Sequence, residues 1–231
     1  VSGNIAGSGF SGGNGGGIHN NGNLKVQNST ISSNASGKGR FIGDGGGIFN
    51  SGLQTIENST ISYNIAGISA GNFDGGDGGG VFSIGPSNVE SSIIANNILG
   101  NAWGFSEGPD FYGILNSYGY NLIEDISCCT IIGDSTGNIL GFDPNLGPLL
   151  DNDGPTMTHA LLLGSPAINR GSCSDIAGDL VKTDQRGYLR KDGFCDIGSF
   201  EYYSNPKLPM EKIMEILEKN SNKDGNNSST D

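Results

Sequence analysis

The sequence has few positive charges and no long apolar run. Lysine and arginine together number 12 against 24 aspartates and glutamates, which gives a formal net charge of −12. Binding to nucleic acid depends on clustered basic residues that neutralise phosphates, so this composition argues against a nucleic-acid partner. No stretch approaches the roughly 18 to 20 apolar residues that a membrane-spanning helix requires, and we therefore expect no membrane-spanning segment.

Cysteine and histidine are also scarce, with 4 and 2 copies. The cysteines lack the C-x-x-C spacing of a structural zinc site, and few histidines are present to complete a ligand set. We interpret them as disulfide-forming residues of a protein in an oxidising compartment, with reduced, buried cysteines as the alternative. The four residues are Cys128, Cys129, Cys173 and Cys195.

Glycine, by contrast, is abundant, with 41 copies, and three of them open a repeated unit. The unit GGGIHNNGNLKVQNSTISSNASG at 15–37 has near-copies at 45–67 and 78–100, displaced by 30 and then 33 residues. The opening residues VSGNIAG match the end of the second unit, so we expect the chain to begin inside a repeat. A fixed period of this length is a signature of repeat architectures.

Within each unit the apolar residues recur at every second position. Leu24 and Val26 alternate with Lys25 and Gln27, as a short strand with one buried face requires. Such a strand cannot bury its apolar side alone, but identical units stacked along an axis form a continuous apolar column. An antiparallel sandwich need not repeat the same side chains at this period. The sequence therefore predicts an all-β, parallel β-solenoid.

Asparagines stand at equivalent corners of this predicted solenoid. Asn28 and Asn58 occupy the same place in the first two units, and asparagine tolerates the left-handed backbone that such a corner requires. Their side-chain amides could also bond to one another from turn to turn. We therefore predict a structural asparagine ladder at Asn28 and Asn58.

Changes in the repeat pattern and in composition divide the chain into four segments. Residues 1–150 are predicted to form the β-solenoid, with less regular turns after residue 100, and 151–203 a cap over the open end of its apolar column. Apolar residues at i, i+3, i+4 and i+7 from Met210 predict a short amphipathic helix over 204–219. We expect this helix to pack on the end of the solenoid, with docking onto a partner as the alternative. The polar tail at 220–231 is predicted to be disordered.

Two C-terminal stretches resemble a known family. DPNLGPLLDNDGPTMTHALLLGSPAINRG at 143–171 and DQRGYLRKDGFCDIGSFEY at 184–202 are similar to the choice-of-anchor Q domain proteins, and the resemblance covers residues 1–203. It implies a right-handed parallel β-helix related to pectate-lyase-like folds, export to the bacterial or archaeal surface, and an anchor C-terminal to the domain. It also implies a disulfide between Cys173 and Cys195.

Aspartates beside the glycine runs are candidates for calcium binding. Asp44, Asp74 and Asp77 fall on one predicted loop side, next to DGGG and DGGDGGG, which faintly resemble calcium-binding glycine and aspartate repeats. The nine-residue period of those repeats is missing, and Asn14 replaces the aspartate in the first unit. Apart from calcium we predict no cofactor, because no nucleotide motif follows the glycines.

Charged residues of opposite sign cluster in the predicted cap. We interpret them as an ion-pair network that holds loops in place, with no catalytic role. The network comprises Asp184, Arg186, Arg190, Asp196 and Glu201.

The composition and the resemblance together favour a secreted or cell-surface, non-catalytic module for adhesion or extracellular assembly. Its partner would be a glycan, a surface protein or another copy of the chain, and the unequal loops at 36–44 and 68–77 are where we expect specific function to reside. The alternative is a polysaccharide lyase or hydrolase, for which Lys38 and Arg40 beside Asp44 form the sole mixed cluster of the repeats. We predict no catalytic residues. A row of serines and threonines, among them Thr30, suggests ice binding as a third class.

Overall fold

The computed structural model describes residues 1–67, 75–100, 106–190 and 194–202. These residues contain fifteen β-strands and no helix. The predicted helix at 204–219 and the predicted tail at 220–231 lie outside the described residues. The strands are β1 (Ile18–Asn20), β2 (Asn23–Gln27), β3 (Thr30–Ser32), β4 (Ile48–Asn50), β5 (Leu53–Glu57), β6 (Thr60–Ser62), β7 (Val81–Ser83), β8 (Ser87–Glu90), β9 (Ile93–Ala95), β10 (Phe111–Tyr118), β11 (Leu122–Ile123), β12 (Cys129–Asp134), β13 (Ile139–Leu140), β14 (Leu146–Leu150) and β15 (Thr158–Leu161).

Each repeat of the sequence forms one turn of a parallel β-solenoid, which confirms the predicted fold. The first three turns carry three short strands each, and every strand pairs in parallel with the strand one repeat away. The pairs join identical positions, for example Ile31 with Ile61. Two less regular turns follow through β10 and β11 and then β12 and β13. The right-handed winding implied by the family resemblance stays a prediction.

The apolar positions of alternate residues meet inside the solenoid. Ile48, Ile56 and Ile61 of the second turn are fully buried, and their equivalents in adjacent turns join the same interior core. Each buried side chain of this size contributes roughly 1.5 to 3 kcal/mol relative to exposure. The period of two in the sequence thus corresponds directly to the inside and outside of the strands.

A ladder of side-chain amides runs along the solenoid, but not at the predicted asparagines. Asn4, Asn34, Asn64 and Asn97 occupy one corner of successive turns, and each Nδ2 donates to the side-chain oxygen of the next at 2.9 Å. The last acceptor is a carboxylate oxygen of Asp110. Each of these oxygens also accepts the backbone N–H of the preceding asparagine. The ladder therefore satisfies backbone donors that a buried corner would otherwise leave unpaired.

Asn28 and Asn58 have the predicted left-handed backbone, with φ of 45° and 47°. The predicted amide bond between them is wrong, because their side chains face a different environment. Asn28 Nδ2 donates to the carbonyl of Thr183 at 2.9 Å, in the C-terminal segment. The buried side-chain amide of Asn58 has no hydrogen-bond partner among the described residues. Asparagine at this corner therefore adopts the left-handed backbone of the turn, whereas the asparagines equivalent to Asn34 form the ladder of side-chain amides.

The C-terminal segment packs along a flank of the solenoid, so the prediction of a cap over its end is wrong. Ser199 Oγ lies 2.9 Å from Thr30 Oγ1 of the first turn and donates to Thr60 Oγ1 of the second. Gly198 N donates to the carbonyl of Ser91 in the third. A second apolar cluster, the flank core, fills the space between them. The row of hydroxyls proposed for ice binding, including Thr30, is buried beneath this segment.

The flank segment is closed by the disulfide that the resemblance implied. Cys173 and Cys195 are bonded, 22 residues apart in the chain. Closing a loop of this length contributes on the order of 3 kcal/mol in the chain-entropy model. Cys128 and Cys129 are free, the first exposed and the second partly buried.

We predict that Asn64→Ala will destabilise the protein by on the order of 3 kcal/mol. The substitution removes a donor and an acceptor from the ladder and leaves buried polar groups of Asn34 and Asn97 unpaired. Asn58→Gly is the matched control, because it keeps the left-handed backbone and removes a side chain that has no hydrogen-bond partner among the described residues; its effect should stay below about 1 kcal/mol. Chemical denaturation of both variants checks this, and an equal loss in the two would disprove a stabilising ladder.

Candidate functional site

A set of loops projects from one edge of the solenoid, at the place where the sequence units differ most. The loops at 7–13, 37–43 and 67–76 each close on themselves through one backbone hydrogen bond between glycines. These bonds run from Gly13 N to Gly7 O at 2.7 Å and from Gly43 N to Gly37 O at 3.1 Å, and the third turn repeats them. We call the first two of these loops, 7–13 and 37–43, the loop stack. Asp74 and the other residues between the ends of the third loop lie outside the described residues.

The necks of the loops require glycine because adjacent turns approach each other closely there. A Cβ added at Gly37 would lie 2.1 Å from Gly7 O and 2.3 Å from Gly13 N. Gly37 N also donates to Gly13 O of the preceding loop at 2.8 Å. The neck is thus a dense array of backbone bonds, which holds the loops at the spacing of the turns.

Two phenylalanines lie at the tips of the first two loops. Phe10 and Phe41 are 68% and 60% exposed, and their rings meet edge to face with centroids 5.3 Å apart. The Arg40 guanidinium lies 5.9 Å from the centre of the Phe10 ring, and Lys38 is also exposed. The tips therefore combine exposed aromatic surface with positive charge.

The loop tips are ordered by main-chain bonds from one loop to the next. Gly9 N donates to the carbonyl of Lys38 at 3.0 Å, and the Phe10 carbonyl accepts from both Arg40 N and Phe41 N at 3.1 Å. Lys38 N donates to Ser8 Oγ. Side chains held on a paired backbone lose less conformational entropy on binding than side chains on a free loop.

The calcium candidates take part in another hydrogen-bonded row. Asp44 Oδ1 accepts from Asp77 N at 3.0 Å, and Asp77 Oδ1 accepts from Glu107 N at 2.7 Å. Asn14 fills the same place in the first turn, where its Oδ1 accepts from Asp44 N. An uncharged side chain therefore makes the same hydrogen bond as the aspartates. Burial raises the pKa of Asp44. Within the described ranges no group of three or more His, Cys, Asp or Glu could hold a metal ion.

Acidic residues that the sequence did not single out meet at the seam with the flank segment. Glu57 pairs with Lys25 at 2.9 Å and accepts from Ile176 N at 3.1 Å. Glu90 lies beside Glu57 in register, is 7% exposed, and has its pKa raised to about 7, chiefly by burial. Asp175 also lies within 3.6 Å of the Lys25 ammonium. Both glutamates are buried beneath the flank segment, so this seam is structural.

The predicted network of the cap is present, and it fastens the flank segment to the solenoid. Arg186 pairs with Asp184 at 2.7 Å, and Arg190 with Glu201 at 3.3 Å, all of them largely buried. Asp196 accepts from Asn169 N and from Tyr202 N. Arg190 also reaches Asn28 of the first turn at 3.1 Å. These contacts join loops of the flank segment to one another and to the first turn.

Two open clefts lie near the ends of the solenoid, with volumes of about 900 and 860 Å³. The first is lined by Asp151 and Lys25 among its charged residues, and the second by Arg170. Neither cleft brings two carboxylates together. Glycoside hydrolysis ordinarily requires a pair of them flanking the bond that is broken.

Sequence reasoning indicated the second and third loops as functional but did not single out Phe10 in the first. The signal was present as the glycines at 7 and 13, which match those at 37 and 43. Matching the necks would have aligned the three loops despite their different lengths.

Comparison with family models, curated proteins and solved structures finds no match to this chain. The class of protein is therefore defined by the fold alone. The chain is a parallel β-solenoid with a disulfide-closed flank segment and a stack of loops along one edge. The described residues include no helix long and apolar enough to cross a membrane. The resemblance to choice-of-anchor Q domain proteins stays a prediction.

The buried carboxyl group of Glu90 makes the stability of the folded protein depend on pH. Folding raises the pKa of Glu90 from 4.5 to about 7, so the folded protein binds this proton more tightly between those values. Its stabilising contribution is complete below pH 4.5 and is lost as the pH rises through about 7. We therefore predict that Glu90→Gln raises the melting temperature at pH 8 and changes it little at pH 4.

The exposed Glu107→Gln is the control for Glu90→Gln, since it removes the same charge without relieving a buried one. Melting curves of both variants between pH 4 and pH 8 provide the measurement. Parallel pH profiles for wild type and Glu90→Gln would contradict the assignment.

The glycine necks give a further prediction. Gly37→Ala should destabilise the protein by about 1 to 3 kcal/mol, because the added methyl overlaps backbone atoms of the adjacent loop. A Cβ at Gly22 meets nothing within 4 Å, so Gly22→Ala serves as the control and should be nearly neutral. Thermal unfolding distinguishes the two, and equal melting temperatures would show that the neck is not close-packed.

Proposed function

We propose that the chain is a non-catalytic module of a secreted or cell-surface protein, with a role in adhesion or extracellular assembly. The observation that carries the proposal is the exposed Phe10 and Phe41 pair, held with Arg40 on a rigid stack of loops. Exposed aromatic and arginine side chains contribute most to binding where they are pre-positioned.

The Cys173–Cys195 disulfide supports an oxidising, extracellular location, since such bonds are rare in reducing compartments. The disulfide closes a loop within the flank segment. Export and attachment to a cell surface are proposed on this ground together with the resemblance.

The arrangement of the carboxylates supports a binding function more than a catalytic one. Asp44, the acid nearest Lys38 and Arg40 in the sequence, directs an oxygen to the backbone of Asp77. Glu57 and Glu90 are the neighbouring acid pair, and both are buried beneath the flank segment. A polymer in solvent therefore does not reach Glu57 or Glu90, and the Asp44 carboxylate is already engaged by a backbone N–H.

The test is a surface-binding assay with glycan arrays and whole bacterial cells. The wild-type chain should bind a defined ligand, and Phe10→Ala/Phe41→Ala should reduce binding about tenfold or more, because it removes the exposed rings at the centre of the surface. Phe142→Ala is the matched control, since Phe142 is 61% exposed but lies outside the loop stack.

Electron microscopy of the same samples tests assembly. Filaments that persist in the double variant would place assembly elsewhere on the solenoid. Release of sugar fragments from a polysaccharide by the purified wild type would overturn the non-catalytic proposal.

A further inference from the structure

We propose that the cleft between the last two turns of the solenoid and the flank segment binds a sugar unit that carries a carboxylate group. The cleft shares no residue with the loop stack, so this site goes beyond the proposed function. Its volume of about 860 Å³ falls within the range of about 300 to 1,000 Å³ that ligand sites ordinarily have. The lining residues that carry the inference are Tyr120, Gly137, Ile139, Pro166, Asn169 and Arg170.

Arg170 gives the cleft a positive charge in a part of the chain that is otherwise acidic. It is the only lysine or arginine between Arg40 and Lys182. Its side chain is exposed and makes no hydrogen bond or ion pair with the described residues. Among those residues no aspartate or glutamate lines the cleft, so an anion that enters it meets one positive charge and no negative one.

The chemistry of this cation suits a carboxylate. A guanidinium is planar, and its paired N–H donors match the two oxygens of a carboxylate. A neutral ligand would make no use of the charge. The ligand class is therefore set first by Arg170.

The backbone on both sides of Arg170 is held in place. Asn169 N donates to Asp196 Oδ1 at 2.7 Å, and Gly171 N donates to the carbonyl of Cys195 at 2.7 Å. The disulfide closes the same segment. Binding therefore requires little ordering of the main chain, which favours affinity.

The other lining residues supply what a sugar ring requires. The ring of Tyr120 lies against Gly137, where an added Cβ would come within 2.4 Å of Tyr120 Cδ1. Ile139 and Pro166 are half-buried and add apolar surface. The C–H face of a sugar packs on such surface, while its hydroxyls need a few polar groups. The exposed side-chain amide of Asn169 makes no hydrogen bond with the described residues, so it can serve them.

Isothermal titration calorimetry of the 231-residue chain tests this site. D-galacturonate is compared with its methyl ester and with D-galactose, which keep the ring but lack the charge, and with acetate, which keeps the carboxylate but lacks the ring. We expect galacturonate to bind about tenfold or more tightly than each of the three, because it alone meets both the guanidinium and the ring surface.

A second titration, with trigalacturonate, distinguishes two sources of the same ligand. Tighter binding of the trimer than of the monomer would show that the cleft takes a unit of a polymer. Equal binding would show that it takes the free sugar. Both results support the inference.

The variants locate the site. Arg170→Gln should weaken galacturonate binding about tenfold or more, because it removes the charge-assisted hydrogen bonds to the carboxylate. Asn169→Gly removes the amide at a position where φ is 56° and glycine keeps the backbone, and it should weaken binding about threefold. Lys182→Gln is the matched control, since it removes an exposed charge of the flank segment that does not line the cleft. Melting temperatures equal to that of the wild type confirm that the variants are folded.

Three outcomes would overturn the inference. They are galacturonate binding no tighter than that of the methyl ester, galactose or acetate, full affinity of Arg170→Gln, and an equal loss in Arg170→Gln and Lys182→Gln. Each would leave the proposed adhesion through the loop stack intact, because the two surfaces share no residue.

Discussion

Parallel backbone pairing between successive turns is the interaction on which the rest of this structure depends. Each turn donates to the next and accepts from the one before, so an isolated turn would leave its backbone groups and apolar side chains exposed. The pairing joins identical repeat positions, as Ile31 with Ile61. Equivalent positions of successive turns therefore share one environment and carry similar side chains. Rows of like residues along the axis are the direct consequence of this pairing.

Several kinds of row arise from this constraint. Inward-facing Ile and Val form the apolar column, the amides of Asn34 and its equivalents pair buried donors with acceptors, and glycines bring the loop necks into contact. Outward-facing aromatics stack as well, with Phe49 and Phe82 nearly parallel at 5.3 Å. The backbone of the loop tips is paired in the same way, but the side chains of Phe10 and Phe41 are exposed to solvent beyond the necks. The solenoid thus forms a rigid support, and the loops carry the exposed side chains.

Much of the fold could be predicted because the relevant information is local and repeated. The alternation around Val26 and the displacement of its near-copies by 30 and 33 residues define strands and stacking without reference to distant contacts. The amide ladder was predicted at the wrong asparagines because both corners repeat equally well in sequence. Only the direction of the side chains distinguishes them, since Asn34 Nδ2 reaches the next turn whereas Asn28 reaches Thr183.

The sequence by itself determined the solenoid and its register, because both follow from residues that recur at one period. Only the tertiary structure decided that the C-terminal segment covers a flank, that Glu57 and Glu90 are buried in its seam, and that Phe10 meets Phe41 at an exposed tip. The flank contacts join residues more than a hundred positions apart, as Thr30 and Ser199 do. No periodicity encodes such pairs, which depend on how the non-repeating segment folds back across the turns.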